Sequence, residues 1–272
     1  MNKEKQKLIG KIKEKREYSS IPDSEVEKIL DEFTKESHTE KEKFKIGREM
    51  LMKLFSGTMS KKLLSPKILE KKSSEEVLKK HLSTRERFEY YEKIYSKIFS
   101  DLDLNKKEKV SVIDLGAGIN GLSYNKFPEK FEVDYVGIEI IGRLVDLMNE
   151  YFRKNKVSRT PTGSAEAIQE SLFSLKNLKD IIKKTKKPRI VFLFKILDSL
   201  EYRERDYTKK LLLELKKEEI EIKGFVLSFS TESYIKKEKF KAKRTWIQDF
   251  IKENFNVLEN FELGGERYIV FE

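Results

Sequence analysis

The chain has no cysteine, which excludes disulfides, iron–sulfur clusters, thiolate zinc sites and cysteine nucleophiles together. Its 2 histidines, His38 and His81, are too few for a histidine metal site, so no metal is expected, nor a Ser-His-Asp triad. Chemistry on such a chain is expected to come from a cofactor. No apolar run approaches the roughly 20 residues needed to span a bilayer. The charged opening Met1-Asn2-Lys3-Glu4-Lys5 is followed by no apolar signal-peptide core. A cytoplasmic protein with no membrane partner is expected.

What is present bounds the class. A length of 272 residues allows one large domain or two modest ones, and a 38% hydrophobic fraction is enough for a core. Lysine and arginine number 58 against 47 acids, a net charge of +11. A basic excess favours a polyanionic partner, because cations that neutralise phosphates release counterions. A lysine-rich proteome is the competing reading. The 39% charged content, with both signs mixed, is compatible with a heat-adapted host.

Residues 1–80 read as helical throughout. Val26, Ile29, Leu30 and Phe33 follow the turn Pro22-Asp23 at helical spacing, and Phe44, Leu51, Met52 and Phe55 repeat the pattern. Ser65-Pro66 opens a further short helix, and Ser73-Ser74-Glu75-Glu76 can cap another. One longer helix is predicted from Ser83 to Phe99, with Phe88, Tyr91, Tyr95 and either Ile98 or Phe99 on one face. After Lys109 strands and helices alternate, the signature of a parallel α/β sheet. Strands are predicted over Val110–Leu115, Val133–Ile140, Ile190–Lys195 and Phe225–Phe229. Helices are predicted over Gly142–Phe152, Ile168–Lys184, Arg205–Lys217 and Trp246–Phe255. Two last strands, Val257–Leu263 and Arg267–Phe271, meet at Gly264-Gly265. A terminal hairpin on a parallel sheet fits the Rossmann-like methyltransferase variant, whose last strand runs antiparallel. The expected fold is therefore α/β: a helical N-terminal domain over 1–80, then a Rossmann-like S-adenosylmethionine (SAM)-dependent methyltransferase domain over 81–272.

The most informative segment is Val112-Ile113-Asp114-Leu115-Gly116-Ala117-Gly118-Ile119-Asn120-Gly121. Glycines after a strand let the backbone approach a ligand closely, and the next helical turn offers N–H groups. The spacing Gly116-x-Gly118-x-x-Gly121 also matches the dinucleotide fingerprint. Asp114 tilts the balance, because a carboxylate before the glycines repels a pyrophosphate and suits the cationic sulfonium and ammonium of SAM. Glu139 ends the second strand, where an acid can accept both ribose hydroxyls. NAD would use such an acid too, so Glu139 indicates a nucleoside without saying which. Asp114 also has a plainer reading, as a brace for the turn.

From these segments the sequence resembles the aminoglycoside-resistance 16S ribosomal RNA guanine-N7 methyltransferases. Lys15-Arg16-Glu17-Tyr18 with Pro22-Asp23 is similar to the family's opening, and His81-Leu82-Ser83-Thr84-Arg85-Glu86-Arg87-Phe88 to its His-x-Ser-Thr-Lys/Arg-Glu-Arg-Leu signature. Ile113 to Leu122 resembles its SAM loop, and Phe194-Lys195-Ile196-Leu197 with Leu200-Glu201 its Phe-Lys-Leu-Leu…Leu-Glu segment. Ser228-Phe229-Ser230-Thr231 and Leu263-Gly264-Gly265-Glu266 with Tyr268-Ile269 match in the same order. The resemblance implies an N-terminal domain that docks on the small ribosomal subunit and a monomeric enzyme that methylates a decoding-site guanosine. It implies that Arg87 binds the SAM carboxylate, that Gly116, Ala117 and Gly118 line the methionine and ribose, that Glu139 meets the ribose, and that Gln169 and Glu170 lie near the adenine. Glu139 and Glu170 stand where the family has aspartates, Glu232 where it has an arginine, and Ala117 and Gly121 where its loop has cysteine and proline. These departures fit a distant housekeeping relative as well as a resistance enzyme.

Guanine N7 is nucleophilic and carries no proton, so transfer to it needs positioning and no general base. Amine methylation typically uses an Asn/Asp-Pro-Pro-aromatic loop after the fourth strand, where this chain has Phe194-Lys195-Ile196-Leu197. Lys195 is the candidate catalytic residue, contacting the target base or phosphate; the alternative is that it snorkels to the surface. His81 reads as a helix-start or packing residue. The basic run Lys236 to Trp246 and the lysines of residues 3–16 read either as RNA contacts or as solvated faces. Tyr90, Tyr91, Tyr95 and Phe99 read as core. Two other functions stay open: methylation of a protein or small molecule, and a catalytically silent ribosome-binding protein.

Overall fold

A computed structural model describes residues 3–56, 63, 68–104, 109–157, 163–232 and 244–272. The first part is helical: α1 (Lys3–Lys13), α2 (Asp23–Phe33), α3 (Glu40–Leu51), α4 (Ile68–Lys71), α5 (Ser74–Leu78), α6 (Leu82–Arg87) and α7 (Tyr91–Asp101). Capping boxes start two of them, Thr39 with Glu42 at α3 and Ser73 with Glu76 at α5, each satisfying two backbone donors. A π-helical turn, Met52–Ser56, follows α3, so the predicted helix over Phe44–Phe55 ends in a widened last turn. The helix predicted from Ser83 to Phe99 is broken by a 3-10 turn at Phe88–Tyr90. The break lets Arg87 and Tyr91 both reach Asn120.

The second part alternates β1 (Lys109–Leu115), β2 (Glu132–Glu139), α8 (Gly142–Lys154), β3 (Gly163–Gln169), α9 (Leu175–Lys184), β4 (Arg189–Phe194), α10 (Leu197–Arg203), α11 (Tyr207–Lys216), β5 (Ile222–Ser230), α12 (Thr245–Asn254), β6 (Val257–Leu263) and β7 (Glu266–Phe271). They form one seven-stranded sheet in the order β3-β2-β1-β4-β5-β7-β6. β1 to β5 pair in parallel, and β7 is antiparallel to both β5 and β6. The expected Rossmann-like sheet with a terminal hairpin is what the chain forms. β3 corrects the helix predicted from Ile168. Its sequence, Gly-Ser-Ala-Glu-Ala-Ile-Gln, lacks the β-branched run that marks a strand, yet Ala165 and Ala167 are buried in alternation. Asn149 of α8 holds this edge strand by accepting from Ala167 N at 2.8 Å and donating to Ala167 O at 2.9 Å.

Alternation along β1 separates two cores. Val110 and Val112 join α7, α8 and the N-terminal helices, including Leu8, Ile12, Val26 and Ile29, in one continuous apolar cluster. Ile113 and Leu115 point to the opposite face, with Leu178, Leu211 and Ile251 of α9, α11 and α12. The helical part is thus packed on the sheet. It is also pinned by charge: Arg203 of α10 ion-pairs with Glu25 and, at 2.8 Å, with Glu32, both on α2. Its guanidinium lies 4.1 Å from the Phe173 ring centroid. Side-chain exposure is 2% for Arg203 and 3% for Glu25, against 43% for Glu32.

Removing one partner of a buried pair leaves an uncompensated charge. Arg203→Ala is therefore expected to lower the unfolding free energy by about 3 kcal/mol or more. Glu32→Ala, losing a solvated contact, should cost less than about 1 kcal/mol. Urea unfolding of both variants checks this, and similar small losses would contradict it.

Candidate active site

In an open parallel sheet, ligands bind at the carboxyl ends of the strands where the strand order reverses. Here the reversal lies between β1 and β4. A cavity of about 440 Å³ opens there, within the roughly 300–1,000 Å³ range of small-molecule sites. Gly116 and Gly118 line it after β1, Glu139 and Ile141 after β2, Lys195 and Ile196 after β4, and Phe229 and Ser230 at the end of β5. Residues 53–55 of the π-helical turn close one side, so the helical part contributes a wall.

Gly116 adopts φ +70°, and a Cβ there would meet Ile196 Cδ1 at 2.7 Å. The turn needs glycine for both reasons. It is held by Gly116 N and Ala117 N donating to Ile138 O, at 2.9 and 3.0 Å. Glu139 folds back on the same turn: one oxygen accepts from Gly118 N and the other from Ile141 N, each at 2.9 Å. Burial raises its carboxyl pKa, and these backbone bonds pull it back down. Asp114 lies beneath the turn and is 1% exposed. It accepts from Asn120 Nδ2 at 2.7 Å and Tyr135 OH at 2.8 Å, tying the loop to β2. Burial raises its pKa too.

A four-charge network forms another part of the wall. Lys195 ends β4 in the left-handed conformation, φ +56°. Its ammonium pairs with Glu86 and lies 3.1 Å from Glu266, so it does not snorkel outward. Glu266 has no exposed surface; it accepts from Ser228 Oγ, and Arg87 Nε lies 3.4 Å away. Arg87 also donates to Asn120 Oδ1 at 3.1 Å and to Ser83 O at 3.3 Å. The network thus joins α6, the glycine loop, β4, β5 and the terminal hairpin.

Gly116, Gly118, Glu139 and Lys195 line the cavity, whereas Arg87, Asp114 and Ala117 sit behind its wall. Gln169 and Glu170 do not line it. Gln169 Nε2 donates to Ser20 O at 2.7 Å and Ile140 O at 2.9 Å, docking the N-terminal segment on the sheet. Glu170 accepts from Ser171 N at 2.8 Å, and Ser171 lines the cavity. Glu266 escapes the sequence reading, which starts the last strand at Arg267 and names Glu266 only as part of the resemblance; its signal is an acid at the start of a strand that is otherwise apolar inward. Tyr91, Tyr95 and Phe99 are core residues, as expected. Trp246 is 37% exposed, under the Lys209 ammonium at 5.3 Å. Lys236 to Lys243 of the basic run lie outside the described residues. Lys5, Lys11, Lys13 and Lys15 of the N-terminal run pair with acids of the helical part itself. Among the described residues no cluster of metal-ligating side chains occurs, and no helix is long and apolar enough to cross a membrane.

The lining charges define what fits. Carboxylates come from Glu86, Glu139, Asp198 and Glu232, and ammoniums from Lys53 and Lys195, each of which is ion-paired. A pyrophosphate meets repulsion here, and a cationic ligand with a ribose does not. His81 lines the cavity beside Gly118. Burial, helped by the Arg87 and Lys195 charges, lowers its pKa from 6.5 to about 3, so its ring is neutral at pH 7.

That shift makes stability depend on pH. Between pH 3 and 6.5 the unfolded chain binds a proton at residue 81 that the fold rejects. Stability therefore falls as pH drops through this window. From pH 6.5 to 5 the loss is expected to be about 1.5 kcal/mol. Urea unfolding of wild type and His81→Gln across this range checks it; equal pH slopes would refute it.

No family model and no curated protein matches the sequence. Solved structures do match it along its whole length. The 16S rRNA methyltransferase RmtF in complex with S-adenosyl-L-homocysteine is 18% identical with a TM-score of 0.74, covering 100% of this chain and 99% of that one. The 16S rRNA methylase RmtB is also 18% identical at 0.74, covering 98% of each chain. An rRNA methylase from Escherichia coli is 16% identical at 0.71, covering 98% of this chain and 99% of that one. At these identities the likeness shows the fold: this chain shares with these structures the seven-stranded sheet with its antiparallel terminal hairpin and the helical N-terminal part.

Proposed function

We propose that this chain is a SAM-dependent RNA methyltransferase whose substrate is small-subunit ribosomal RNA and whose acceptor atom is N7 of a guanosine. One observation carries the reading: the likeness to 16S rRNA methyltransferases runs from end to end and includes the N-terminal helices as well as the common catalytic sheet. The acid-lined cavity at the glycine turn supports SAM over a dinucleotide.

When bound, SAM supplies an electrophilic methyl group on a sulfonium. The chain's own residues do the rest. Gly116, Ala117 and Gly118 form the seat against which the methionine and ribose rest. Each Glu139 oxygen has accepted one backbone hydrogen and keeps a lone pair for a ribose hydroxyl. Asp114 braces the seat from below. Arg87 has committed Nε and Nη1, while its Nη2 makes no hydrogen bond among the described residues. We assign that group to the methionine carboxylate. Gln169 and Glu170 hold Ile140 and Ser171 at the adenine end. Lys195 faces the acceptor side, where its ammonium steadies the incoming base or its phosphate. N7 has a lone pair and no proton, so the neutral, buried His81 is not needed as a base.

Residues 1–80 are assigned to docking and 81–272 to catalysis, in a monomeric enzyme. The lysines of α1 would exchange their solvated partners for phosphates, since such pairs are individually weak. The basic run Lys236 to Trp246 is assigned to RNA contact on sequence.

Purified small ribosomal subunits incubated with radiolabelled SAM are expected to acquire label in a guanosine at which the strand then cleaves as N7-methylguanosine does. Lys195→Ala is expected to lower kcat/KM by about 100-fold with SAM affinity retained. No label in any RNA, with SAM binding intact, would sink the rRNA reading and favour a protein or small-molecule acceptor.

A further inference from the structure

The charged groups lining the cavity have partners, with one exception. Glu86 is committed to Lys195, Asp198 to a two-pronged pair with Arg244, and Glu139 to the backbone of Gly118 and Ile141. The Glu232 side chain, just past the end of β5, makes no hydrogen bond or ion pair among the described residues, although it lines the same cavity. Its backbone is fixed, because the neighbouring Thr231 N donates to Gly265 O at 2.9 Å. Its side chain lies along the Gly265 face, with Oε2 3.6 Å from where a Cβ on that glycine would sit. A half-buried carboxylate is therefore held at the wall with no partner for its oxygens among the described residues.

A carboxylate presents two parallel acceptors. Among the four RNA bases, guanine alone has two adjacent donors on its Watson–Crick edge, N1–H and N2–H. Adenine and cytosine set a ring lone pair beside their amine, and uracil sets its single donor between two carbonyls. Flipped bases in RNA sites are commonly read on this edge. We propose that Glu232 is the specificity-determining acid of the acceptor site and reads the Watson–Crick edge of guanine. This rests on the rRNA methyltransferase reading above and sharpens it. A guanine held through N1 and N2 has those nitrogens engaged, and its N7, on the opposite edge, is left to receive the methyl group. The sulfur–methyl bond breaks as the N7–methyl bond forms; the N7 lone pair makes the new bond, the sulfur keeps the old pair, and no proton moves.

The test uses the full chain, radiolabelled SAM and small subunits. Glu232→Ala is expected to lower kcat/KM by roughly 10- to 100-fold, with Glu232→Asp recovering part of it. The SAM dissociation constant and melting temperature should stay at wild-type values, which excludes misfolding. Subunits reconstituted with inosine at the mapped position lack the N2 amine. They should be methylated more slowly by wild type and with no further loss by Glu232→Ala. Wild-type rates for Glu232→Ala, or equal inosine penalties in both proteins, would overturn the role of Glu232. Label on adenosine or cytidine would overturn it while leaving an rRNA enzyme in place. Wild type labelling no RNA would overturn both readings.

Discussion

Glu266 is a carboxylate with no solvent exposure, and two cations from distant parts of the chain converge on it: Arg87 from α6 and Lys195 from the end of β4. A charge in that position is tolerable only when paired, so each partner is constrained by the others. Through Asn120 the same network reaches Asp114 and the glycine turn. Through Ser228 it reaches β5. The cavity's shape therefore depends on a hairpin that closes at the very end of the sheet.

A second set of contacts ties the helical part to the same cavity. Ser20 O accepts from Gly142 N and from Gln169, at the mouth of α8 and the end of β3. Arg203 joins α10 to α2, and the π-helical turn after α3 supplies part of the lining. The helical part and the sheet part are covalently successive and also share one apolar cluster. A partner that engages the helices would act on elements in direct contact with the site.

The charge balance reads differently once folded. The excess of +11 stands, but many lysines are engaged by acids of the same chain. Surface pairs of this kind are weak and screened by salt, so they compete poorly against a dense row of phosphates. A basic protein with internally paired lysines can therefore remain an RNA binder, with an affinity that depends strongly on salt.

Much of this was legible in the sequence because it is local. Apolar runs mark β1, β2, β4 and β5; the glycines after β1 mark the turn; the acid at the end of β2 marks a carboxylate of the cavity wall; Gly264-Gly265 marks the hairpin. β3 was not legible, because an edge strand packed under α8 is built from small residues without β-branched character. The break after Arg87 and the π-helical turn after α3 were not legible either, since tertiary packing sets where a helix stops. The sequence by itself determined the order of elements, the position of the glycine turn and the supply of candidate carboxylates and cations. Only the tertiary structure decided which of these meet. Glu86 and Arg87 lie far along the chain from Lys195 and from Glu266, and their pairing follows from strand order; Glu232, past the end of β5, meets no cation among the described residues.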